Sequence, residues 1–308
     1  MKRKALITGG AGFIGSHIAD KLTEQGYDVV VVDNLSNGRR ENVSKRARFY
    51  EADICDSDLF QIFKKEKPDI VFHYAAQINL KKSISDPINS AKTNILGSLN
   101  VLENCRKSEV KRVVFASSGG AIYGEAKIIP TPEDYPERPV SPYGIEKLAV
   151  EKYLDYYYGM FKVPFVSLRF ANVYGPRQNS ENEGGVIAIF CNKMLSGQQP
   201  VINSDGKQTR DFIFVNDAVE ANILAAEKNK VGVFNISSGK ETIINTVFDK
   251  INDLTGLASK KKYKGLTYKE QSRSCLDNKK ASESLKWFPN YSLDRGLKET
   301  VDWFKEKL

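Results

Sequence analysis

Short runs of consecutive apolar residues alternate with longer stretches in which apolar residues recur every three or four positions, and this rhythm holds through the first half of the chain. The short runs read as strands covered on both faces. The longer stretches read as crossover helices, which together predict a parallel sheet. Lys4–Thr8 is the first expected strand, Phe13 to Gln25 a helix stopping near Gly26, and Asp28–Asp33, with its four successive valines, the second strand. Arg48–Glu51 and Ile70–His73 follow as strands, with a helix over Asp58–Lys65 between them. Residues 87–107 carry a helical pattern, and Arg112–Ser117 and Val163–Phe170 are two further strands.

A proline-rich stretch (Pro130, Pro132, Pro136, Pro139) interrupts this order and ends in a helix start: Ser141 can cap, Pro142 suits the first helical position, and Tyr143 opens the helix proper. Beyond residue 172 the alternation weakens. The expected architecture is α/β, a doubly wound parallel sheet over 1–171 followed by a smaller mixed α/β part over 172–308 that binds substrate and is partly interleaved with the first. The length of 308 residues suits either one large α/β unit or two modest domains. No internal repeat or low-complexity segment is present.

Composition narrows the function classes. Hydrophobic residues make up 41% and charged residues 27%, an ordinary globular balance with enough apolar side chains for a sizeable core. The longest aliphatic run is strand-length, so no membrane span is expected. Met1-Lys2-Arg3-Lys4 has the charge of a signal-peptide start, but only Ala5-Leu6-Ile7 of suitable character follows, and a cytoplasmic location is the expectation. The four cysteines are far apart, and with two histidines in the chain no metal site is expected. The net charge of +8 invites a nucleic-acid reading, but the lysines are dispersed and only Lys260-Lys261-Lys262 is dense. A field that favours anionic small molecules is the preferred reading, with no nucleic-acid or membrane partner.

Candidate chemistry begins at Thr8-Gly9-Gly10-Ala11-Gly12-Phe13-Ile14-Gly15, between the first strand and first helix. Glycines at 9, 12 and 15 permit a tight turn, close approach to a pyrophosphate, and helix–strand packing. The helix start then offers free N–H groups and a positive dipole end. Asp33, about 20 residues on and at the end of the second strand, suits the ribose hydroxyls of a dinucleotide and repels a 2′-phosphate. That favours NAD over NADP, although Arg39 and Arg40 lie close behind. Asp53-Ile54 is either an adenine contact or a surface turn.

Tyr143 and Lys147 are four apart on one helix and so share a face. A phenol is a poor base at its ordinary pKa of about 10. A neighbouring ammonium, and the cationic ring of an oxidised nicotinamide, favour the phenolate and make the pair a usable acid/base. Ser117-Ser118-Gly119-Gly120-Ala121-Ile122-Tyr123-Gly124 follows the strand 112–117, at the strand ends where open parallel sheets bind ligands.

Taken with His73-Tyr74-Ala75-Ala76 and Leu168-Arg169-Phe170-Ala171-Asn172-Val173-Tyr174-Gly175-Pro176-Arg177, these motifs resemble the extended short-chain dehydrogenase/reductase family over nearly the whole chain, closest to its UDP-glucose (UDP-galactose) 4-epimerases. The resemblance implies tightly bound NAD, a UDP-hexose substrate inverted at C4 through a transient 4-keto sugar, a place in galactose metabolism, and a homodimer joined by helices around 87–107 and 142–158. It implies that Tyr143 moves the C4 hydroxyl proton, Lys147 holds the nicotinamide ribose, and Ser118 hydrogen-bonds the reacting oxygen, with Ser117 as runner-up because one extra glycine separates Ser118 from Tyr123-Gly124. Gly9, Gly12, Phe13, Ile14, Gly15, Asp33, Asn34, Asp53, Ile54, Ala75, Ala76 and Asn94 are implied to contact or frame the cofactor. Asn172 and Arg210 are implied to hold the diphosphate.

The chain departs from the family at three places. Near residue 267, where a second phosphate-binding arginine is usual, it reads Leu266-Thr267-Tyr268-Lys269-Glu270-Gln271, leaving Arg273 or Lys269 as substitutes. Asn203 stands where an aromatic commonly stacks on uracil. Ser274 stands where some relatives carry a tyrosine that confines the sugar, and its small size implies room for an N-acetyl sugar. A 4,6-dehydratase fits less well, since the serine loop has no carboxylate. A uronate epimerase and a catalytically silent dinucleotide-binding regulator are the other readings.

Overall fold

Alternate residues of the central strands enter two separate cores, as strands covered on both faces require. Ala5, Ile7, Val29, Val31, Val114 and Val166 belong to one apolar cluster, whereas Leu6, Val30, Val32, Val113 and Phe115 belong to the other. The computed structural model describes residues 2–180, 185–265 and 271–308. Its principal sheet takes β1 (Lys4–Thr8), β2 (Asp28–Asp33), β3 (Arg48–Glu51), β4 (Ile70–His73), β5 (Arg112–Ser118) and β6 (Phe165–Phe170). The next strands, β7 (Asn172–Tyr174), β8 (Val201–Asn203) and β9 (Thr209–Phe214), lie outside it, and β10 (Gly232–Ile236) returns to it. The order is β3-β2-β1-β4-β5-β6-β10, and every neighbouring pair is parallel.

The helices α1 (Phe13–Glu24), α2 (Leu59–Glu66), α3 (Leu80–Ser85), α4 (Pro87–Ala91), α5 (Ser98–Lys107), α6 (Gly119–Ile122), α7 (Pro142–Phe161), α8 (Val186–Leu195) and α9 (Val215–Glu227) come between these strands. α1 packs on α9 on one face of the sheet, while α5 lies between α2 and α7 on the other. The expected helix over 87–107 is interrupted: α4 passes into a π-turn at Lys92–Gly97 before α5 begins.

β11 (Glu241–Ile243) completes a second sheet of order β11-β9-β7, and β12 (Lys262–Lys264) pairs with β8. The three helices α8, α10 (Ile244–Thr255) and α12 (Leu293–Lys307) pack together, and the short α11 (Lys279–Leu285) lies against β10. The chain after residue 172 therefore builds its own small sheets and also adds β10 and α9 to the first layer system. Sheet order reverses direction between β1 and β4, so the crevice beyond their C-terminal ends is where a ligand belongs.

All four cysteines are free, and no described helix is long and apolar enough to cross a membrane. Among the described residues no cluster of His, Cys, Asp and Glu could hold a metal ion.

Candidate active site

A cavity of about 1140 Å³ opens at that crevice, above the range of about 300–1000 Å³ usual for one small ligand and roomy enough for two. Gly9 leaves β1 with φ +69°, and a Cβ there would come within 2.6 Å of the Ala75 nitrogen, so the phosphate loop and the end of β4 touch only because residue 9 is glycine. A Cβ on Gly15 would collide with the Gly9 carbonyl oxygen. Gly12 stands at the N-cap of α1 with no side-chain cap, which leaves the first-turn N–H groups of Phe13 and Ile14 for an anion.

Asp33 at the end of β2 is 7% exposed and lines the cavity. Its Oδ2 accepts from the Ala11 nitrogen at 2.9 Å and its Oδ1 from the Leu35 nitrogen at 2.8 Å. Burial raises its pKa, and these two backbone donors oppose the rise. Asn34 donates to Asp53 Oδ2 at 2.7 Å, so the two expected adenosine-side residues are tied together. Burial of Asp53 acts to raise its pKa but is outweighed by donors from Cys55 and Asn34, and the net shift is downward. Of the two arginines behind Asp33, Arg39 lines the cavity, while Arg40 is stacked 4.4 Å over the Phe49 ring.

Tyr74-Ala75-Ala76 leave β4 along the cavity wall, directly after the buried His73 that ends the strand. Ser98 Oγ donates to the Asn94 carbonyl at 2.6 Å, so its contact with His73 Nε2 at 2.8 Å must be accepted from the ring. The His73 proton therefore sits on Nε2, and Nδ1 accepts from Thr8 Oγ1 at 2.7 Å. Burial, then the charge of Lys147, pushes His73 down to about 3, so it stays neutral at working pH. Asn94 does not line the cavity. It stands in the π-turn, accepts from the Gln77 nitrogen at 2.7 Å and donates to the Gln77 carbonyl at 2.8 Å and to Glu146 Oε2 at 2.6 Å.

Tyr143 and Lys147 both face the cavity from the first turns of α7. Ser141 caps that helix through a bond from the Gly144 nitrogen at 3.2 Å, and Pro142 follows at its first position. Lys147 is 5% exposed, donates to the Ala116 carbonyl at 2.8 Å and lies 5.7 Å from the centre of the Tyr143 ring. Burial lowers its pKa to about 8 against the raising influence of Glu146 and Glu151. The Tyr143 phenol is pushed well above its ordinary range, first by burial and then by Glu146. In the chain alone the expected pull of the ammonium toward the phenolate is outweighed: the ammonium is bonded to a backbone carbonyl, and desolvation of the phenol dominates.

Ser117 and Ser118 both line the cavity at the end of β5. The Ser117 hydroxyl is buried with no hydrogen-bond partner among the described residues. A buried orphan hydroxyl costs about 1–3 kcal/mol, and a ligand group at this wall would relieve it. Together the glycine cradle, the free N–H groups of α1, the Asp33 carboxylate and this orphan hydroxyl fit a dinucleotide laid across β2, β1, β4 and β5.

Asn172 lines the cavity from β7 and donates to the Asp211 carbonyl at 3.2 Å. Arg210 and Ser274 are not among its lining residues. Arg210 Nη1 bonds the Thr209 carbonyl at 2.8 Å, and Ser274 is 6% exposed. Arg273 is paired with both carboxylate oxygens of Glu241, at 2.9 and 2.5 Å, on an exposed position outside the cavity lining. Lys269 and the stretch 266–270 lie outside the described residues.

Some site groups had no role in the sequence reading. Arg177 closes the quoted Gly175-Pro176-Arg177 motif; it lines the cavity, pairs with Asp20 at 2.7 Å and bonds Ser16 Oγ at 3.2 Å, clasping the phosphate helix to the loop after β7. Asp211, in Arg210-Asp211-Phe212, is fully buried and accepts from Ser238, Gly239 and Leu276 backbone nitrogens. Burial raises its pKa, with those donors opposing.

Comparison with known proteins gives a concordant result. The sequence profile of the NAD dependent epimerase/dehydratase family matches residues 5–237. The crystal structure of a UDP-glucose 4-epimerase with UDP-glucose from Thermotoga maritima superposes with a TM-score of 0.97 at 47% identity, covering 99% of each chain. A Thermus thermophilus UDP-glucose 4-epimerase complexed with NAD gives 0.95 at 38% identity, covering 99% of this chain and 100% of the other. A UDP-N-acetylglucosamine 4-epimerase from Methanobrevibacter ruminantium, in complex with UDP-N-acetylmuramic acid, gives 0.94 at 35% identity, covering 100% of both.

Proposed function

The chain belongs to the NAD dependent epimerase/dehydratase family, and from that premise we propose that it is an isomerase that inverts C4 of a UDP-hexose, interconverting UDP-glucose and UDP-galactose. The observation that carries this reading is the facing of Tyr143 and Lys147 into the cavity that also receives the glycine loop and Asp33. NAD, when bound, supplies the hydride acceptor that oxidises C4 and the donor that reduces it again.

The chain's own groups do the remaining work. Tyr143 takes the C4 hydroxyl proton and later returns it. Lys147 holds the ribose next to the nicotinamide and, as an ammonium, favours the phenolate. The positive charge of the oxidised nicotinamide adds to that influence, against the burial that holds the phenol protonated in the chain alone. Ser118, with the orphan hydroxyl of Ser117 beside it, hydrogen-bonds the reacting oxygen. Asn172, on the cavity wall, is assigned to the diphosphate; Arg210, outside the lining, shares that assignment on the family resemblance, a guanidinium fork being well suited to phosphate. The sugar must present both faces to one reductant, so binding strength belongs at the nucleotide and few contacts at the sugar.

The substrate range extends, on this reading, to UDP-N-acetylglucosamine, since a solved neighbour is a 4-epimerase of that sugar nucleotide; Ser274, outside the cavity lining, does not itself supply the room. A homodimer is proposed through α4, the π-turn and α7. Ile88 is 81% exposed, Leu96 59% and Tyr156 51%, and Ala149, Tyr153 and Tyr156 border a shallow depression. Its four unpaired thiols favour a cytoplasmic setting.

The test is an assay of the purified protein with UDP-glucose, UDP-N-acetylglucosamine and UDP-glucuronate, identifying the product sugars. Formation of UDP-galactose supports the reading. A 4-keto-6-deoxy product, turnover of the uronate alone, or bound NAD without turnover would overturn it.

A further inference from the structure

Glu146 lies between Tyr143 and Lys147 in the sequence, yet its side chain leaves the cavity and enters the contact between α7, α4 and the π-turn. It is 3% exposed. Oε2 accepts from Ser90 Oγ at 2.9 Å and from Asn94 Nδ2 at 2.6 Å. Oε1 is buried with no hydrogen-bond partner among the described residues, and no salt bridge to Glu146 is present among them. A buried carboxylate with half its acceptor capacity unused is costly unless its charge is put to use.

We propose that Glu146 is a positioning residue for the Tyr143–Lys147 pair: its carboxylate clamps the π-turn and sets a fixed negative charge behind the lysine ammonium. The inference rests on the epimerase reading above. The clamp extends to the cavity floor, because the Asn94 amide that bonds Glu146 also holds both backbone groups of Gln77, next to Ala75 and Ala76. The residues that carry the cofactor floor and the helix that carries the proton-transfer pair are therefore held by one carboxylate oxygen.

The charge arrangement points the same way. Glu146 leads the groups that oppose the desolvation of Lys147, and Glu151 comes second. Glu151 is already engaged by Arg169 at 2.6 Å and by Ser167 at 2.9 Å, so its charge is largely answered. From β4, His73 faces the lysine and is neutral. α4 and α6 carry no charged residue, and Lys81 and Lys82 of α3 and Lys92 of the π-turn are on exposed positions. Glu146 is thus the larger influence of two buried carboxylates that favour the charged form of Lys147, and the one not already answered by a cation.

Glu146→Gln keeps the shape and the two accepted hydrogen bonds while removing the charge, and Glu146→Asp keeps the charge. In the NAD-loaded enzyme the Gln variant should lose about fivefold in kcat at pH 8 and little at pH 6.5, the effect of lowering the Lys147 titration by about one unit from about 8. The alkaline limb of its pH profile moves to lower pH, and that of the Asp variant stays in place. Independently of turnover, the Lys147 side-chain resonance in isotope-labelled protein, assigned by its loss in Lys147→Met, should titrate at lower pH in Glu146→Gln. A uniform loss at every pH, or a Lys147 titration unchanged by Glu146→Gln, overturns the proposal even if epimerase activity is found. If no activity is found, the resonance still decides it.

Discussion

Tyr143 and Lys147 perturb each other less than their shared surroundings perturb both. Burial holds the phenol protonated and drives the ammonium down to about 8. On the proposed reading, a tyrosine that becomes a base only when substrate and oxidised cofactor are present benefits from that setting, since the free pocket holds no stray strong base. Tyr143→Phe should lower kcat by about 10²–10⁴-fold, the usual worth of a positioned acid/base, with NAD still bound and the melting temperature unchanged; a calorimetric scan beside a turnover assay checks all three. Because the lysine's charge is present below about 8 and lost as pH rises through it, kcat should fall on the alkaline side of that value, which a pH–rate profile reads directly.

His73 affords a stability prediction of the opposite kind. Its folded pKa of about 3 lies below the ordinary 6.5, so below 6.5 the unfolded chain takes up a proton that the folded chain refuses. This residue's contribution is intact above about 6.5 and erodes as pH falls toward 3. The difference in urea midpoint between wild type and His73→Gln should therefore shrink between pH 7.5 and pH 5. An unchanged difference would mean that the Thr8–His73–Ser98 chain is not closed to protons.

At the scale of elements, α7 carries the proposed proton-transfer pair, and it is held at its start by Ser141 and at its middle by Glu151. Ser141→Ala should cost about 1 kcal/mol of stability and lower kcat as well, because Tyr143 stands in the first turn; equilibrium unfolding and a turnover assay separate the two effects. Further along, Arg169 of β6 grips Glu151 at 2.6 Å, and both side chains are about 2% exposed. Glu151→Ala should cost about 3–5 kcal/mol by leaving a buried guanidinium half-paired.

The elements were legible wherever a local rule governs them. The valine run of β2, the glycine loop and the Ser141-Pro142 start all fall at the expected residues. β6 begins at Phe165 instead of Val163 because Pro164 has no N–H to give the ladder. The π-turn was not legible, since one extra residue in a turn barely disturbs a helical period over twenty residues. The sequence reading of the site was similarly local. Tyr143 and Lys147 are four apart, but Asn94 and Glu146 are separated by 52 positions and Ser16 and Arg177 by 161, and no spacing rule joins such pairs.

For the whole molecule, the exposed apolar side chains on α4, the π-turn and α7 form the face most in need of a cover. Ile88→Arg with Tyr156→Glu should yield a monomer in sedimentation while leaving the far-ultraviolet spectrum intact. A monomeric wild type would instead show that the face is tolerated in water.

The seventh strand of the large sheet is supplied by residues 232–236, more than sixty positions after β6, which it flanks. Neither portion of the polypeptide can then be cut away as a self-sufficient module: a fragment ending before 172 would present the bare side of β6 and the uncovered flank of α1. Melting, followed by calorimetry, should therefore occur as one event, and two separated transitions would show the parts to be independent.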